Sequence, residues 1–562
     1  MILECDYAGQ SGIANSLGGA QLAFATNTLR ESTFLQAELR FPLQLREGLA
    51  ALYSVVVSDF RYRPRDRFAF FAWLEEQDRK FLARLAIAGA KAREQMERIE
   101  ARLSELDQAR LLRLRPFHDA RRRYFDHVYQ NQVELNLLLD PVISVHPDEV
   151  SFEAFSRDES SYARLSVRHD CFTRVESLEC GTTNIDFSAR LHGELERMRS
   201  YRQTRFEITP GGFGVALAGG GHKEKKIKLP DSWLLGFLQV QSVMAMGLHH
   251  LQLAPIDLYN LCRALRRRRA RRSPRALRFE LVPGERSRVV LEPWEQTITL
   301  GEISRYAGPR PITIRTWGRD RLQTLARMIP TCDRVDVFLC GDGLPSIYIL
   351  DLGMLSFTLG LSGWTDADWT GSDRFSLLSR PMSVNADELA RVYQGMQGRR
   401  LATDVEAAEA SGLGLEKVRG ALSYLCQVGR AMFDLRAGVY RHRDLFLEPF
   451  SAKQAVAQAR ALEEQKNPQG KAAKQIFERG DVRIIARRPV QTGYKLSGSS
   501  KGSDGRRVRP LVHVDHEGLI IEATCTCPYH QKNQLKQGPC EHILSLRLAH
   551  MARLELEGKG GN

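Results

Sequence analysis

The sequence contains no local signature of a common catalytic site. It has no phosphate-binding G-x-x-x-x-G-K-[ST] loop, no G-x-S-x-G nucleophile turn, no H-E-x-x-H zinc-protease motif and no nuclease-like cluster of acidic residues. These absences weigh against an ATPase, an α/β-hydrolase, a metalloprotease and a nuclease, although some catalytic sites carry no local signature. We therefore expect a protein that acts by binding and not by catalysis.

Features of secreted and membrane proteins are also scarce. The 10 cysteines among 562 residues are mostly isolated, which is typical of a reducing compartment and not of a disulfide framework. The N-terminal segment MILECDYAGQSG has no basic region followed by an apolar one, so no signal peptide is expected. The longest apolar run, residues 233–251, is broken by glutamine, serine and histidine and predicts a buried helix. A cytoplasmic protein without membrane contact is expected.

Positive charge is what the sequence has in excess, with a formal net charge of +14. Residues 263–278 contain nine arginines and no acid, and residues 471–509 contain eleven basic and three acidic residues. Such runs favour nucleic acid as a partner, while a solvated helix face or a dock for an acidic protein is the alternative for the first run. The candidate contact residues in the two runs are Arg266, Arg267, Arg268, Arg269, Arg271, Arg272, Arg487, Arg488, Arg506, Arg507 and Arg509.

Four potential metal ligands stand in two pairs near the C-terminus. Cys525 and Cys527 follow a β-branched run at residues 519–524, and residues two apart on a strand point to the same face. Twelve residues later, Cys540 and His542 precede an apolar helical pattern. Three thiolates and one imidazole form the ligand set of a closed structural zinc site, with no position left for water or substrate.

Two other histidines could take the place of His542. His530 lies three residues after Cys527, and His550 lies two helical turns after His542. His542 is preferred because its spacing from Cys540 matches that of the first pair, whereas His530 falls in the polar segment between the pairs. The expected cofactor is one structural Zn²⁺ ion.

The segment CTCPYHQKNQLKQGPCEHILSLRLA, residues 525–549, resembles the SWIM-type zinc finger. The likeness extends past the C-x-C and C-x-H pairs to the proline after the first pair, the Gly-Pro before the second and the apolar helix after it. The resemblance implies that Cys525, Cys527, Cys540 and His542 bind zinc. It covers only the C-terminal fifth of the chain and implies a small β-sheet capped by one helix, with a binding role toward DNA or other proteins.

Residues 384–446 resemble a winged helix-turn-helix. The pattern predicts a helix over 386–397, a short helix after Thr403, a tight turn at Gly412, a longer helix over 415–428 and a β-ribbon. Winged helices bind DNA or dock proteins, and the sequence leaves both open. The residues expected on the exposed side of the long helix or in the wing are Glu416, Lys417, Arg419, Ser423, Tyr424, Arg436, Arg441, His442 and Arg443.

The whole chain is expected to be a multidomain α+β protein, since its length suggests about three to five domains. Apolar residues between 82 and 106 recur in alternating steps of three and four, which predicts a helix that forms an antiparallel hairpin with residues 117–139. A coiled coil with a partner protein is the alternative for this repeat. The expected segments are a mostly helical N-terminal region with this hairpin (1–140), an α+β middle region (141–383), the winged-helix-like module (384–446) and the zinc-finger domain with a small β-sheet and a C-terminal helix (451–562).

Two functions follow from these features. The first is a zinc-binding, non-enzymatic protein that binds nucleic acid, most simply DNA, through its basic runs and its finger. The second is a protein-interaction scaffold, because the layout looks like bacterial SWIM proteins encoded beside MoxR-type AAA ATPases and von Willebrand A-domain proteins. That resemblance implies an ATPase and an A-domain protein as partners.

Overall fold

Helices and several β-sheets alternate along the chain, so the protein is α+β as expected. Internal contacts divide it into two compact units, Met1–Asp59 with Leu139–Asn562, and Phe60–Leu138. The predicted four-part division of the chain stays a prediction. The structure is a computed structural model, and it describes residues 3–5, 8–9, 11–16, 19–30, 33–59, 102–103, 105–106, 141–185, 187, 189–200, 203–209, 227–229, 231–244, 248–268, 275–341, 343–363, 369, 384–446, 449–454, 468–490, 493–502, 505–514, 520–535 and 538–559.

The unit Phe60–Leu138 contributes two short helical pieces to the described residues, 102–103 and 105–106. Arg102 and Glu105 form an exposed ion pair of 2.5 Å one helical turn apart. The rest of the predicted helical hairpin lies outside the described residues. Among the helices that the structure describes, none combines the length and the apolar character needed to cross a bilayer.

Strands dominate the first part of the larger unit. Helix α1 begins at a proline, which is favoured there because the first backbone nitrogens of a helix have no partner within the helix. The helix buries Leu45, Leu49 and Leu52. The elements are β1 Leu3–Cys5, β2 Gly12–Ser16, β3 Gly19–Ala25, β4 Phe34–Leu39 and α1 Pro42–Val56.

The middle of the chain supplies most of the strands. In chain order its elements are β5 Val142–Val145, β6 Glu149–Phe155, β7 Ser161–Arg168, β8 Phe172–Glu179, β9 Gly181–Asn184, α2 Ala189–Leu195, β10 Thr204–Thr209, β11 Ile227–Leu229, α3 Asp231–Met244, β12 His249–Leu253, α4 Pro255–Arg267, β13 Leu277–Leu281, β14 Arg288–Leu291, β15 Gln296–Thr299, β16 Ile312–Thr316, β17 Arg334–Leu339, β18 Ser346–Asp351 and β19 Leu355–Leu361. Short 3₁₀ helices lie at His169–Cys171, Glu302–Ser304, Arg319–Leu325 and Ile329–Thr331.

An eight-stranded antiparallel sheet forms the centre of this unit, in the order β12-β17-β18-β19-β7-β6-β5-β9. Its strands β6 and β19 are buried along their whole length, because helices cover both faces. Leu165 of β7 contacts α1 on one face. Phe155 of β6 contacts Phe237 of α3 on the other, with ring centroids 4.9 Å apart. The smaller described sheets of this part have the orders β1-β11, β2-β3-β10-β4-β8 and β15-β14-β13-β16.

The apolar run at residues 233–251 is only partly the buried helix that was expected. Helix α3 ends at Met244, and His249 to Leu253 form β12 at the edge of the eight-stranded sheet. The alternation of buried Leu251 and Leu253 with more exposed residues is the period-two pattern of an edge strand, which an apolar run hides in the sequence.

Residues 384–446 form three helices and a small sheet of order β20-β22-β21. The caps are local: the side chains of Asn385 and Thr403 accept hydrogen bonds from the third residue of their helices, and Gly412 ends the second helix with φ 65°. The elements are α5 Ala386–Arg399, β20 Leu401–Ala402, α6 Asp404–Ser411, α7 Leu415–Gln427, β21 Ala431–Asp434 and β22 Val439–His442.

The C-terminal part is a five-stranded sheet with helices packed on one face. Strand order is β23-β24-β26-β27, and β25 pairs with β24. Its core joins Leu496, Val512 and Val514 of the sheet to Ile543 and Leu546 of the last helix. The elements are α8 Pro468–Glu478, β23 Val482–Val490, β24 Gly493–Lys501, β25 Arg507–Val508, β26 Leu511–Val514, β27 Ile520–Thr524, α9 Pro528–Asn533 and α10 Glu541–Lys559.

Candidate metal centre

The two predicted ligand pairs lie at the ends of three adjacent elements. Cys525 directly follows β27, and Cys527 is the N-cap of α9, where its Sγ accepts a hydrogen bond of 3.3 Å from the backbone nitrogen of His530. Cys540 directly precedes α10, and its carbonyl accepts the hydrogen bond that starts that helix, from Leu544. The C-x-C turn is fastened to the sheet by Thr526, whose Oγ1 accepts from the backbone nitrogen of Arg509 at 3.0 Å.

The four ligand atoms of Cys525, Cys527, Cys540 and His542 all lie within 4.8 Å of one another, and all four side chains are buried. Three sulfurs and one nitrogen placed tetrahedrally at the usual zinc distances of about 2.0–2.3 Å are about 3.5–3.8 Å apart, so the cluster needs only a small contraction. Three sulfurs and one ring nitrogen complete a tetrahedral shell without an open position. The cluster can therefore hold one metal ion.

The thiols of the cluster affect each other's protonation. A hydrogen bond with the thiol of Cys540 lowers the pKa of Cys525 to about 4, and the ring of His542 acts in the same direction. Burial raises the pKa of Cys527. The interaction with Cys525 raises the pKa of Cys540, because a second thiolate would face the first. Binding of a divalent cation must therefore displace thiol protons, so its affinity rises with pH.

The two rival histidines are buried, but neither belongs to the cluster among the described residues. His530 is held through its backbone nitrogen, and burial lowers the pKa of its ring. His550 packs against Tyr494 of β24, with ring centroids 4.9 Å apart. This placement favours His542 as the nitrogen ligand.

The second basic run places five exposed side chains on one face of the C-terminal sheet. Leu496 and Ser500 of β24 point toward α10, so Lys495 and Lys501 of the same strand point away from it. Their cross-strand partners point the same way, which aligns Arg488 with Lys495 and Arg507 with Lys501. We call this surface the open face, and its basic residues are Arg483, Arg488, Lys495, Lys501 and Arg507.

The remaining predicted residues of this run have other environments. Arg487 is half-buried on the helix side, and its guanidinium carbon lies 4.4 Å from the ring centroid of Tyr494. Arg506 and Arg509 are exposed in the connection between β24 and β26. The basic residues of this run thus lie in three environments, namely the open face, the connection with Arg506 and Arg509, and the packed site of Arg487.

The first basic run begins at the end of α4. Arg266, Arg267 and Arg268 are exposed, and Arg266 donates a hydrogen bond of 2.6 Å to Gln323. The predicted residues Arg269, Arg271 and Arg272 lie outside the described residues. Trp294, which sequence reasoning did not single out, lines a groove beside Arg267 and Arg268.

The basic residues expected on the long helix α7 are engaged in ion pairs. Lys417 lies 2.7 Å from Glu388 of α5, and Arg419 lies 2.6 Å from Asp404 of α6. These contacts tie the three helices together. They also reduce the positive charge that α7 presents to solvent.

The expected exposure of Ser423 and Tyr424 is wrong, since both are buried. Helix α7 packs against α3 of the same chain, while Lys417 of α7 stays exposed. Beside this contact, Gln241 of α3 accepts a hydrogen bond of 2.6 Å from the backbone nitrogen of Phe433.

The expected wing is also buried in part. Arg441 is 1% exposed and Arg443 is 0% exposed, because both reach the eight-stranded sheet. Arg441 pairs with Asp148 at 2.6 Å and with Asp434 at 3.0 Å, and Arg443 pairs with Glu153 at 2.7 Å. Sequence reasoning treated these arginines as surface residues because two of their acidic partners, Asp148 and Glu153, lie almost 300 positions away in the chain.

No protein-family model and no curated protein sequence matches the chain. Among solved structures, it is similar to the proliferating cellular nuclear antigen of Entamoeba histolytica, with 11% identity, a TM-score of 0.30 and coverage of 41% of this chain and 91% of that one. It is also similar to a structure described as the C-terminal region of FEN-1 bound to A. fulgidus PCNA, with 12% identity, a TM-score of 0.29 and coverage of 42% and 93%. At these TM-scores the similarity assigns neither a fold nor a function.

Proposed function

We propose that the chain is a non-enzymatic nucleic-acid-binding protein whose C-terminal domain is a SWIM-type finger held together by one zinc ion. The observation that carries this proposal is the arrangement of the C-terminal sheet. One face packs on the helix that begins at the metal cluster, and the opposite face presents five basic side chains to solvent.

Zinc is the metal that suits this cluster best. Soft thiolates select zinc or copper(I) over magnesium and calcium, and the tetrahedral S₃N set is that of structural zinc sites. The residues that would hold the ion are Cys525, Cys527, Cys540 and His542. When bound, it links the end of β27 to the start of α10 and supplies no reactive position.

The open face offers phosphate contacts. Arg483, Arg488 and Lys495 carry no acidic partner among the described residues, and the acid on the same face, Glu522, pairs with Arg310 at 2.5 Å. Positive charges that displace counterions from phosphates give binding that is largely independent of sequence and falls with salt. The open face therefore suits a nucleic-acid backbone better than a specific base sequence.

The module 384–446 has the element order of a winged helix, but we assign it a structural part and not the nucleic-acid contact. Ser423 and Tyr424 of α7 are buried, and its Lys417 and Arg419 are paired with acids. Arg441 and Arg443 are committed to the eight-stranded sheet.

A salt titration tests the role of the open face. The triple variant Arg488→Gln, Lys495→Gln, Lys501→Gln removes three exposed charges and should reduce the salt slope of DNA binding by about 3. The matched control is Lys417→Gln, Arg419→Gln, Arg436→Gln, which removes three charges that are paired with acids. Fluorescence anisotropy with a labelled duplex at several salt concentrations measures both. Equal slopes for the two variants would contradict the assignment.

A protein-interaction scaffold is the second candidate, because two apolar residues of the same domain are exposed. Leu511, 53% exposed, lies in the middle of the open face, and Ile485, 64% exposed, lies at the bulge of edge strand β23. Exposed apolar residues next to positive charge suit a protein surface. On this proposal the partners are an AAA ATPase of the MoxR type and a von Willebrand A-domain protein. Two results together would favour the scaffold. The wild type would retain no nucleic acid, and the double variant Ile485→Ser, Leu511→Ser would no longer co-purify with these partners.

A further inference from the structure

A groove with a tryptophan wall lies beside the arginine-rich end of α4. Its volume is about 690 Å³, and we call it the tryptophan groove. Helix α4 forms one wall, and the turn between β14 and β15 forms the other. The lining residues are Asn260, Arg263, Ala264, Arg267, Arg268, Trp294 and Gln296.

Three exposed arginines line the α4 wall. Arg263 and Arg267 are four residues apart, so they lie on the same side of the helix and about 6 Å apart along its axis. Arg268 follows directly, and none of the three has an acidic partner among the described residues. The opposite side of α4 is anchored in the core by Leu261 and Leu265. The helix thus presents a row of positive charge on a fixed support.

The opposite wall holds Trp294 in a rigid turn. The guanidinium carbon of Arg319 lies 5.4 Å from the centroid of its ring. Arg319 is 3% exposed and donates a hydrogen bond of 2.6 Å to the carbonyl of Glu292 at the start of the turn. Arg278 then joins Glu292 and Glu295, at 3.1 Å and 2.6 Å, so the turn is closed at both ends. The half-buried indole is therefore a preorganised part of the groove wall.

Both walls are fastened to the same 3₁₀ helix, Arg319–Leu325. Arg319 at its start holds the turn with Trp294. Gln323 in its second half accepts from Arg266 at 2.6 Å and donates to the carbonyl of Cys262 at 3.0 Å, both on α4. The distance between the tryptophan and the arginines is therefore set by one short element.

We propose that the tryptophan groove binds single-stranded nucleic acid, with a base stacked on Trp294 and phosphates at Arg263, Arg267 and Arg268. Aromatic platforms beside positive grooves are the general means of binding unpaired strands, whereas the bases of a duplex are already stacked and paired. The proposal rests on the proposed function and deepens it by naming the form of nucleic acid. The open face contacts backbone in either form, and the tryptophan groove adds a preference for single strands.

Substitutions at Trp294 test the contribution of base stacking to binding without changing the charge of the groove. Trp294→Leu in the full chain keeps an apolar side chain but removes the aromatic face, and it should weaken binding of a labelled oligothymidylate about tenfold. Trp294→Phe keeps a ring and should retain most of that affinity. Binding of a labelled duplex of the same length should be unchanged in both variants. Thermal melting checks that both variants are folded. If the leucine variant is unfolded, the phenylalanine variant can still be compared with the wild type.

A second pair of variants tests the arginine row. Arg267→Gln, Arg268→Gln should reduce the salt slope of oligothymidylate binding by about 1.4, because each phosphate neutralised on a single strand contributes about 0.7 to the slope. The control Arg168→Gln, Arg174→Gln removes two exposed charges elsewhere and should leave the slope unchanged. Unaltered oligothymidylate binding by Trp294→Leu would overturn the tryptophan groove while leaving the proposed function intact. Failure of the wild type to bind either nucleic acid would overturn both.

Discussion

Cys540 occupies the position from which the metal cluster and the last helix are both built. Its side chain is fully buried, and its carbonyl starts α10 through Leu544. A serine at this position would offer a hard oxygen in place of a soft thiolate and would leave the remaining ligands without a closed shell.

We expect Cys540→Ser to abolish zinc binding and to unfold the C-terminal domain, because binding of a structural zinc ion is coupled to folding. His542→Ala should act in the same way, whereas His530→Ala should keep one zinc per chain, since His530 contacts Cys527 through its backbone nitrogen. The number of zinc ions per chain, measured by inductively coupled plasma mass spectrometry on the purified proteins, checks all three variants.

The control is Cys180→Ser, a half-exposed free cysteine outside the cluster. It should keep full zinc content and an unchanged melting temperature. Loss of zinc in His530→Ala with retention in His542→Ala would show that the nitrogen ligand is the other histidine.

The four residues of the metal cluster could be predicted from the sequence, whereas the position of Trp294 in a groove could not, for a physical reason. Ligands contributed by the ends of consecutive elements keep a short, regular spacing in the chain, so Cys525 to His542 form a visible motif. Trp294 acquires its role only when the β14–β15 turn is brought beside Arg263 and Arg267 of α4. The residues next to Trp294 in the sequence do not indicate that it lies close to these arginines.

At the scale of elements, the contact between β24 and α10 depends on a glycine. A Cβ at Gly498 would lie 2.5 Å from Cδ1 of Leu546 and 2.9 Å from the carbonyl oxygen of Arg483. The second contact is with backbone and cannot yield by a rotamer change. The helix that carries His542 therefore sits as close to the sheet as it does because position 498 has no side chain.

We expect Gly498→Ala to lower the free energy of unfolding of the C-terminal domain by about 1–3 kcal/mol through overpacking. Urea denaturation of the zinc-loaded chain measures it. The control is Gly193→Ala in α2, where a Cβ would meet nothing within 4 Å and where alanine is a better helix former than glycine. A destabilisation by Gly193→Ala equal to that by Gly498→Ala would refute the packing argument.

Helices with local caps were predicted more accurately than elements defined by distant contacts. Helices α5, α6 and α7 begin within one residue of the predicted starts, because Asn385, Thr403 and the glycine turn act on their own neighbours. Helix α9 was taken for an irregular polar segment. Pro528 stands at its first turn, where proline is favoured.

At the scale of the whole molecule, buried ion pairs join residues 384–446 to the eight-stranded sheet. Arg164 of the sheet contacts both Glu149 and Asp434, and Arg441 contacts Asp148 and Asp434. Arg164 and Arg441 lower the pKa of Asp434 against the effect of burial. The sequence does not reveal the pairs between these two segments, because Arg164 and Asp434 lie 270 positions apart and Arg441 and Asp148 lie 293 positions apart. Their cost in desolvation is offset only when all partners are in place, so the network specifies one docking geometry.

The same junction makes stability depend on pH through His442. Burial lowers the pKa of this histidine to about 4, and the positive charges of Arg400 and Arg430 act in the same direction. Arg400 approaches its Nδ1 at 3.3 Å, and Tyr393 packs on its ring. Since an unfolded histidine titrates near pH 6.5, the unfolded chain binds more protons than the folded one between about pH 6.5 and pH 4.

The free energy of unfolding should therefore decrease as the pH is lowered through that window. In His442→Gln this decrease should be smaller. Urea midpoints of wild type and variant at pH 7.5 and pH 5 measure the difference, and the pH dependence of the zinc site cancels because both proteins carry it. His146 remains buried at the same junction, and burial also lowers its pKa, so a smaller slope should persist in the variant. The control His250→Gln removes a half-exposed histidine that pairs with Asp336 on the far edge of the sheet. If His442→Gln and wild type lost the same stability between the two pH values, His442 would not contribute to the acid sensitivity.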